Sequence, residues 1–217
     1  MFKLLIFDWD GTLMDSSDRI VSSMQRAAKA LSLSVPSKEA IRNIIGLSLE
    51  QANKIIIPGI SAANNKLLQQ QYSHQYSQID KTATPFYPDV LESLMRLKNK
   101  GYMLAVATGK SRRGLDRVLA EASLGGMFDI TRGADEAKSK PDPLMLTQII
   151  EAVGVSITQA VMVGDTSYDL EMAQRIGMPS IAVSYGMHSV ERLKKYNPVM
   201  VADKFLQIEE WLDGESK

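Results

Sequence analysis

The chain has 217 residues, and its 25 Lys and Arg balance 25 Asp and Glu, leaving no formal net charge. That length fits one large domain or two small ones, and roughly 70% of the unfolded surface can be buried, enough for a core without cross-links. Balanced charge argues against a nucleic-acid binder, and the absence of cysteine excludes disulfides, thiolate metal sites and thiol catalysis. The longest apolar runs, such as 4–7, fall far short of the roughly 18 residues a membrane-spanning helix needs. The first residues lack the long apolar region and cleavage site of a signal peptide, so a cytoplasmic location is expected, with no membrane partner.

Residues 3–7, Lys-Leu-Leu-Ile-Phe, run into Asp8-Trp9-Asp10-Gly11-Thr12. This predicts a buried strand ending in a turn. Apolar residues at Ile20, Val21, Met24, Ala27, Ala28 and Leu31 have helical spacing over 17–31, with Ser16 or Ser17 as N-cap. Further helical pieces follow. Ser48 and Gln51 suggest a capping box, with Gly46 in the connection before it. Residues 61–80 are rich in Gln, Asn and Ser with a weak apolar stripe, which predicts a largely solvated helix. No strand pattern appears between 15 and 84.

After Pro85 the texture changes. A helix over 89–99 stops at Gly101, and 102–107 is apolar, followed by Thr108-Gly109-Lys110. A helix is expected from about 111 to 123, a short strand at 128–131, and a helix opened by Pro143 and closed by Gly154. Strands are expected at 160–163 and 180–183 with a helix between them, then 199–201 and a last helix over 204–212. Strands alternating with helices of 10–15 residues indicate an α/β fold with a parallel sheet. The expected organisation is a Rossmann-like α/β core, 1–14 plus 85–217, carrying an all-helical insert, 15–84.

Open parallel sheets bind ligands at the C-terminal ends of their strands. Three predicted strands end there in polar groups: Asp8 and Asp10, Thr108, and Asp165. On extended backbone Asp8 and Asp10 share a face, so both carboxylates point into one pocket. Two such charges about 4 Å apart repel by about 4 kcal/mol at an effective dielectric of 20. They need a cation or a shared proton. Asp165 and Asp169 add two more carboxylates, and hard oxygen donors in this number suit Mg²⁺. Thr108 offers a hydroxyl and Gly109 an approachable N–H near a helix start, a natural anion site. Lys140, before Pro141, supplies a positive charge. The set describes a phosphate held by donors and a cation, with a carboxylate placed to attack it.

The ordered motifs Asp8-Trp9-Asp10-Gly11-Thr12, Thr108-Gly109, Lys140-Pro141 and Gly164-Asp165-Thr166-Ser167-Tyr168-Asp169 resemble those of the haloacid-dehalogenase-like hydrolase superfamily. The helical insert resembles the cap of its phosphoglycolate-phosphatase-like branch. The resemblance implies a phosphoric monoester hydrolase acting on a small phosphorylated metabolite through an aspartyl-phosphate. It implies Asp8 as nucleophile and Asp10 as acid and base. Mg²⁺ would be held by Asp8, the Asp10 carbonyl and Asp165, with Asp169 binding it directly or through a partner. Thr108 and Gly109 would take the phosphoryl group, and Lys140 would stabilise its charge. Asp10 speaks for phosphate chemistry, because the family's dehalogenases lack an acid there.

Within the family the alternative is a phosphomutase using the same intermediate; from a different class it is a non-enzymatic receiver-like phospho-acceptor, against which Asp10 speaks. The insert is expected to set the substrate, with Arg42, Gly46 and Ser48 as the loop facing the site; Arg42 or Arg19 could meet an anionic group. His74 and His188 lack partners at ligand spacing and are read as incidental, Arg112 and Arg113 as a solvated face, and only the backbone of Trp9 is expected to matter. A monomer or homodimer is expected.

Overall fold

The computed structural model of the protein describes residues 2–215; Met1, Ser216 and Lys217 of the expected core segments lie outside them. Its elements are β1 (Leu4–Phe7), α1 (Ser17–Ala30), α2 (Lys38–Asn43), α3 (Leu49–Ile56), α4 (Ala62–His74), α5 (Val90–Asn99), β2 (Met103–Ala107), α6 (Arg112–Glu121), β3 (Ile130–Arg132), α7 (Leu144–Val153), β4 (Ala160–Gly164), α8 (Ser167–Gln174), β5 (Ser180–Val183), α9 (Val190–Leu193), β6 (Met200–Ala202) and α10 (Leu206–Glu215).

The strands form one sheet in the order β3-β2-β1-β4-β5-β6, parallel throughout. They are apolar on both sides because helices cover both faces. Leu5, Phe7, Val106 and Val163 pack against Leu94 of α5, Leu115 of α6 and Ile208 of α10. On the other face Leu4, Ile6, Ala105 and Met162 pack against Met145 and Ile149 of α7 and Met172 of α8. The chain builds outward from β1 through β2 to β3, then returns to β4 and builds the other way. The gap between β1 and β4 is therefore the switch point where such sheets hold ligands.

Between β1 and α5 the described residues form only helices, apart from isolated bridges at Met14. This block has its own apolar centre, including Ile20, Met24, Ile41, Leu47 and Leu68. Its two connections to the sheet run side by side: Asp15 N–H donates to the Pro85 carbonyl at 2.8 Å, and Tyr87 N–H to the Leu13 carbonyl at 3.0 Å.

Several local expectations shift for identifiable reasons. Residues 61–80 are largely solvated as expected, with only Asn65, Leu68, Tyr76 and Asp80 buried, but the α-helix ends at His74 and a π turn follows over Gln75–Ile79. The third strand begins at Ile130 because the Asp129 carboxylate is engaged, taking the Leu104 N–H at 2.8 Å and the Lys98 ammonium. The last helix starts at Leu206 because Gln207 Oε1 accepts the N–H groups of Asp203 and Lys204. Ser16 precedes α1 but does not cap it; its hydroxyl donates to Asp10.

Within the helical block, Asn65 Oδ1 accepts from the buried Asn53 amide at 2.9 Å, and its own amide donates to the Glu50 carbonyl at 3.0 Å. Asn65→Ala strands the Asn53 donor in an apolar centre, a loss of about 1–3 kcal/mol. Thermal or urea unfolding should show it, while Gln69→Ala, whose side chain also reaches Asn65 but is only half-buried, should cost clearly less.

Candidate active site

Register places the acidic residues. Phe7 pairs with Val106 on one side and Val163 on the other, so Asp8, Thr108 and Asp165 leave the sheet together. Asp8, Asp165 and Asp169 are buried, and each offers an oxygen within 4.8 Å of the others'. Two glycines permit this approach. A Cβ on Gly11 (φ +86°) would collide with the Asp165 carboxylate, and one on Gly164 would collide with Asp169.

Each carboxylate has a distinct set of partners. Lys140, fully buried, puts its Nζ 2.6 Å from Asp169 Oδ1 and 2.8 Å from Asp8 Oδ1. The ammonium thus bridges the two carboxylates, and the other Asp8 oxygen, Oδ2, has no hydrogen-bond partner. Asp169 Oδ2 accepts from the Thr166 hydroxyl and N–H at 2.6 and 3.1 Å. Asp165 accepts from the Thr12 hydroxyl and the Met187 N–H, both at 2.8 Å.

Burial pushes the Asp8 carboxyl up to about 7, with Asp169 adding to the rise and Lys140 opposing it. Burial, then the charges of Asp8 and Asp169, raise Asp165 well above the usual carboxylate range. Burial disfavours the Lys140 ammonium, but Asp169 and Asp8 outweigh it and hold the proton more tightly than usual. Fully ionised, the three carboxylates would exceed the one ammonium by two negative charges, and Asp8 Oδ2 has no donor. This all-oxygen donor set fits a divalent cation of the Mg²⁺ kind.

The Asp10 side chain stands apart from these three. It is buried, receives the Ser16 hydroxyl, and pairs with Lys110, whose Nζ lies 2.9 Å from Oδ1. Thr108 is fully buried and its hydroxyl accepts the Lys110 N–H at 3.2 Å, a turn contact. Gly109 lies three residues before α6, and a Cβ there would sit 2.6 Å from the carbonyl oxygens of Gly46 and Leu47.

The loop of the helical block thus closes down onto the strand ends. Gly46 (φ +101°) packs over Thr166 and Tyr168, and the Ser48 N–H donates to the Ser139 hydroxyl at 2.9 Å. The Asn43 carbonyl accepts from the Tyr168 hydroxyl at 2.9 Å and lies 3.2 Å from His188 Nε2, while its side chain takes Arg192. Nδ1 of His188 accepts the Ser167 N–H, which leaves Nε2 to carry the proton toward Asn43.

Residues 5–183 match the family described as haloacid dehalogenase-like hydrolase. The chain belongs to that family. It is 36% identical over 96% of its length to a probable phosphatase, IndB, of Dickeya dadantii, covering 92% of that protein. A phosphoglycolate phosphatase of Psychrobacter arcticus is 28% identical, with 97% of this chain and 95% of that one covered. The crystal structure of a predicted phosphoglycolate phosphatase from Haemophilus somnus superposes with a TM-score of 0.84 at 25% identity, covering 97% and 98% of the two chains. The chain is thus a haloacid dehalogenase-like hydrolase of the phosphoglycolate-phosphatase-like branch, with the phosphoric monoester hydrolase character of its relatives.

For this hydrolase the structure gathers Asp8, Asp165, Asp169 and Lys140 in one buried cluster, with Asp10 beside it. Gly46 and Ser48 lie on the closing loop, but Arg42 does not face the cluster: it is exposed and ion-paired with Asp18 at 2.8 Å. His188, read as incidental, is buried and joins Ser167 to Asn43. Arg112 is not a free surface group; it bonds the Thr131 hydroxyl and pairs with Asp116 and Glu136. Trp9 contributes its side chain as well as its backbone, packing edge-on against Phe86 and Phe128. In the sequence Lys110, Ser16, Thr12 and the 186–188 loop show no role at the site: Ser16 reads as an N-cap and His188 as incidental, and Lys110 and Thr12 only as neighbours of the motif residues.

Because the folded Asp8 carboxyl titrates at about 7, above the roughly 3.9 of an unfolded Asp, the fold favours its protonated form. Its contribution to stability is complete below that unfolded value and is lost as pH rises through about 7; Asp165 acts in the same sense. Metal-free protein should therefore melt lower at pH 8 than at pH 6, and millimolar Mg²⁺ should raise Tm more at pH 8. Equal Mg²⁺ effects at both pH values would show that the cation does not meet these carboxylates.

Proposed function

We propose that the protein is a Mg²⁺-dependent phosphatase of small phosphorylated metabolites that works through an aspartyl-phosphate on Asp8. The observation that carries this reading is Asp8 itself: a buried carboxylate at the sheet's switch point, with an oxygen free of donors and an ammonium beside the other. Such an oxygen is available as a nucleophile toward phosphorus. The names of the Dickeya and Psychrobacter relatives support phosphate ester hydrolysis.

In the proposed reaction Asp8 Oδ2 attacks the phosphoryl phosphorus, and the bond to the alcohol oxygen breaks. Asp10, protonated for this step, gives its proton to that oxygen and the alcohol leaves. Water then attacks the phosphorus of the aspartyl-phosphate and gives a proton to Asp10. Phosphate departs and Asp8 is regenerated. Lys140 holds Asp8 in line and offsets charge on the transferring group, while Asp169 and Thr166 hold Lys140. Asp8 and Asp165 would hold Mg²⁺ with Asp169 nearby, and the cation would neutralise charge on the phosphoryl oxygens. The helical block acts as a cap: seated through Asn43, Gly46 and Ser48, it excludes bulk water from the strand ends.

Phosphate release from a panel of phosphate esters, silenced by EDTA and restored by Mg²⁺, tests the reading, and Asp10→Asn tests the roles within it. The variant removes proton transfer, a loss of roughly 10²–10⁴-fold. In single-turnover experiments the first step should fall further with ethyl phosphate, whose alkoxide needs a proton, than with p-nitrophenyl phosphate. Equal losses with both would remove Asp10 as the donor to the leaving group.

A further inference from the structure

We propose that Tyr185, which follows β5, is a positioning residue that sets the site's affinity for its divalent cation by holding the Asp165 carboxylate through Thr12. The inference rests on the Mg²⁺ reading above and goes beyond it by assigning part of that affinity to a residue outside the acidic cluster.

One short segment grips Asp165 from two sides. Thr12 follows β1, Asp165 follows β4 and the segment 185–187 follows β5, so in the sheet order β1-β4-β5 the carboxylate stands between the other two. Met187 N–H donates to Asp165 Oδ2 and the Thr12 hydroxyl to Oδ1, both at 2.8 Å. Gly186 lies against the same side chain, where a Cβ would stand 2.1 Å from the Asp165 Cβ. The Tyr185 hydroxyl completes the clamp: it reaches across to the β1 loop and donates to the Thr12 carbonyl at 3.0 Å.

Thr12 depends on that bond. It is fully buried, yet among the described residues its backbone otherwise reaches only the Trp9 carbonyl, 3.4 Å from its N–H. Its hydroxyl orients Asp165 only as well as its own backbone is held. Tyr185 is in turn fixed by the Tyr87 ring, 4.4 Å away between centroids, and Tyr87 N–H is tied at 3.0 Å to the carbonyl of Leu13, next to Thr12. Burial, then the Asp165 charge, push the Tyr185 phenol up, so it stays a donor. Groups that orient a metal-binding side chain typically contribute roughly 10–100-fold to metal affinity. Tyr185 acts one bond further out, which places its effect at the low end of that range.

The test measures Mg²⁺ binding to the substrate-free enzyme by calorimetry, beside the Mg²⁺ concentration that gives half-maximal hydrolysis of p-nitrophenyl phosphate. Tyr185→Phe keeps the ring and removes the donor; it should weaken Mg²⁺ about tenfold in both measurements. Tyr87→Phe removes only a long contact, 3.5 Å, to the Tyr185 carbonyl and should bind Mg²⁺ as the wild type does. Thr12→Val should weaken Mg²⁺ at least as much as Tyr185→Phe, and combining the two should cost little more, because both act on one carboxylate along one path. Should Tyr185→Phe fail to fold, the Thr12 pair decides: Thr12→Ser, which keeps the hydroxyl, should hold Mg²⁺ nearly as the wild type does, and equal affinity in Thr12→Val would overturn the clamp. Unchanged Mg²⁺ affinity in a folded Tyr185→Phe protein, even with a lowered Tm, or fully additive losses in the double variant, would also overturn it and leave the Mg²⁺ reading standing. No Mg²⁺ binding by the wild type would remove both.

Discussion

The site depends on one buried ammonium. Lys140 is fully buried between Asp8 and Asp169, and no water-exposed route offsets its charge. Removing one partner from such a buried ion pair typically costs about 3–5 kcal/mol, so the three side chains are fixed as a unit. The consequence for Asp8 is asymmetric. One oxygen faces the ammonium and the other faces no donor. The fold thus holds the carboxylate through one oxygen and leaves the other without a hydrogen-bond partner, which is what a nucleophile requires. Everything around the unit serves to hold it: Thr166 fixes Asp169, Thr12 and Met187 fix Asp165, and the Tyr185 hydroxyl steadies the Thr12 carbonyl at 3.0 Å.

The same crowding explains the glycines. Gly11, Gly164 and Gly186 each lie where a Cβ would enter an acidic side chain of the cluster. Gly109 lies where a Cβ would meet the carbonyls of the closing loop. Backbone approach, not turn conformation alone, is the reason for glycine at these positions. Gly109 and Gly46 also tie the two halves of the molecule together, since the loop at 46–48 touches both the Thr108 turn and the Thr166 helix start.

The strands were legible because a parallel sheet covered on both faces demands short, continuous apolar runs, and 3–7, 102–107, 160–163 and 180–183 are such runs. Strand-end carboxylates were legible because Asp behind a buried strand must be solvated or used. The helical insert was legible as helices, but not its packing: the polar 61–80 segment hides Asn65 and Tyr76 through partners 12 and 57 residues away in sequence. Lys110 and His188 escaped for a related reason. A single Lys or His has no periodic signature, and only the fold reveals that one meets Asp10 and the other bridges Ser167 to Asn43. Arg42 shows the converse: a charged residue in a suggestive loop can point outward, here toward Asp18.

The proposed mechanism rests on Asp8 as the nucleophile that receives the phosphoryl group. Its most direct test is chemical trapping. The Mg²⁺-loaded enzyme is mixed with a radiolabelled phosphate ester, quenched in acid within the first turnover, digested, and the label mapped by peptide. The account predicts an acid-stable, alkali-labile acyl phosphate on the peptide that holds Asp8, formed no more slowly than the alcohol is released and absent from Asp8→Asn. Full release of alcohol and phosphate in that first turnover by a folded Asp8→Asn protein, or label on any other residue, would contradict it.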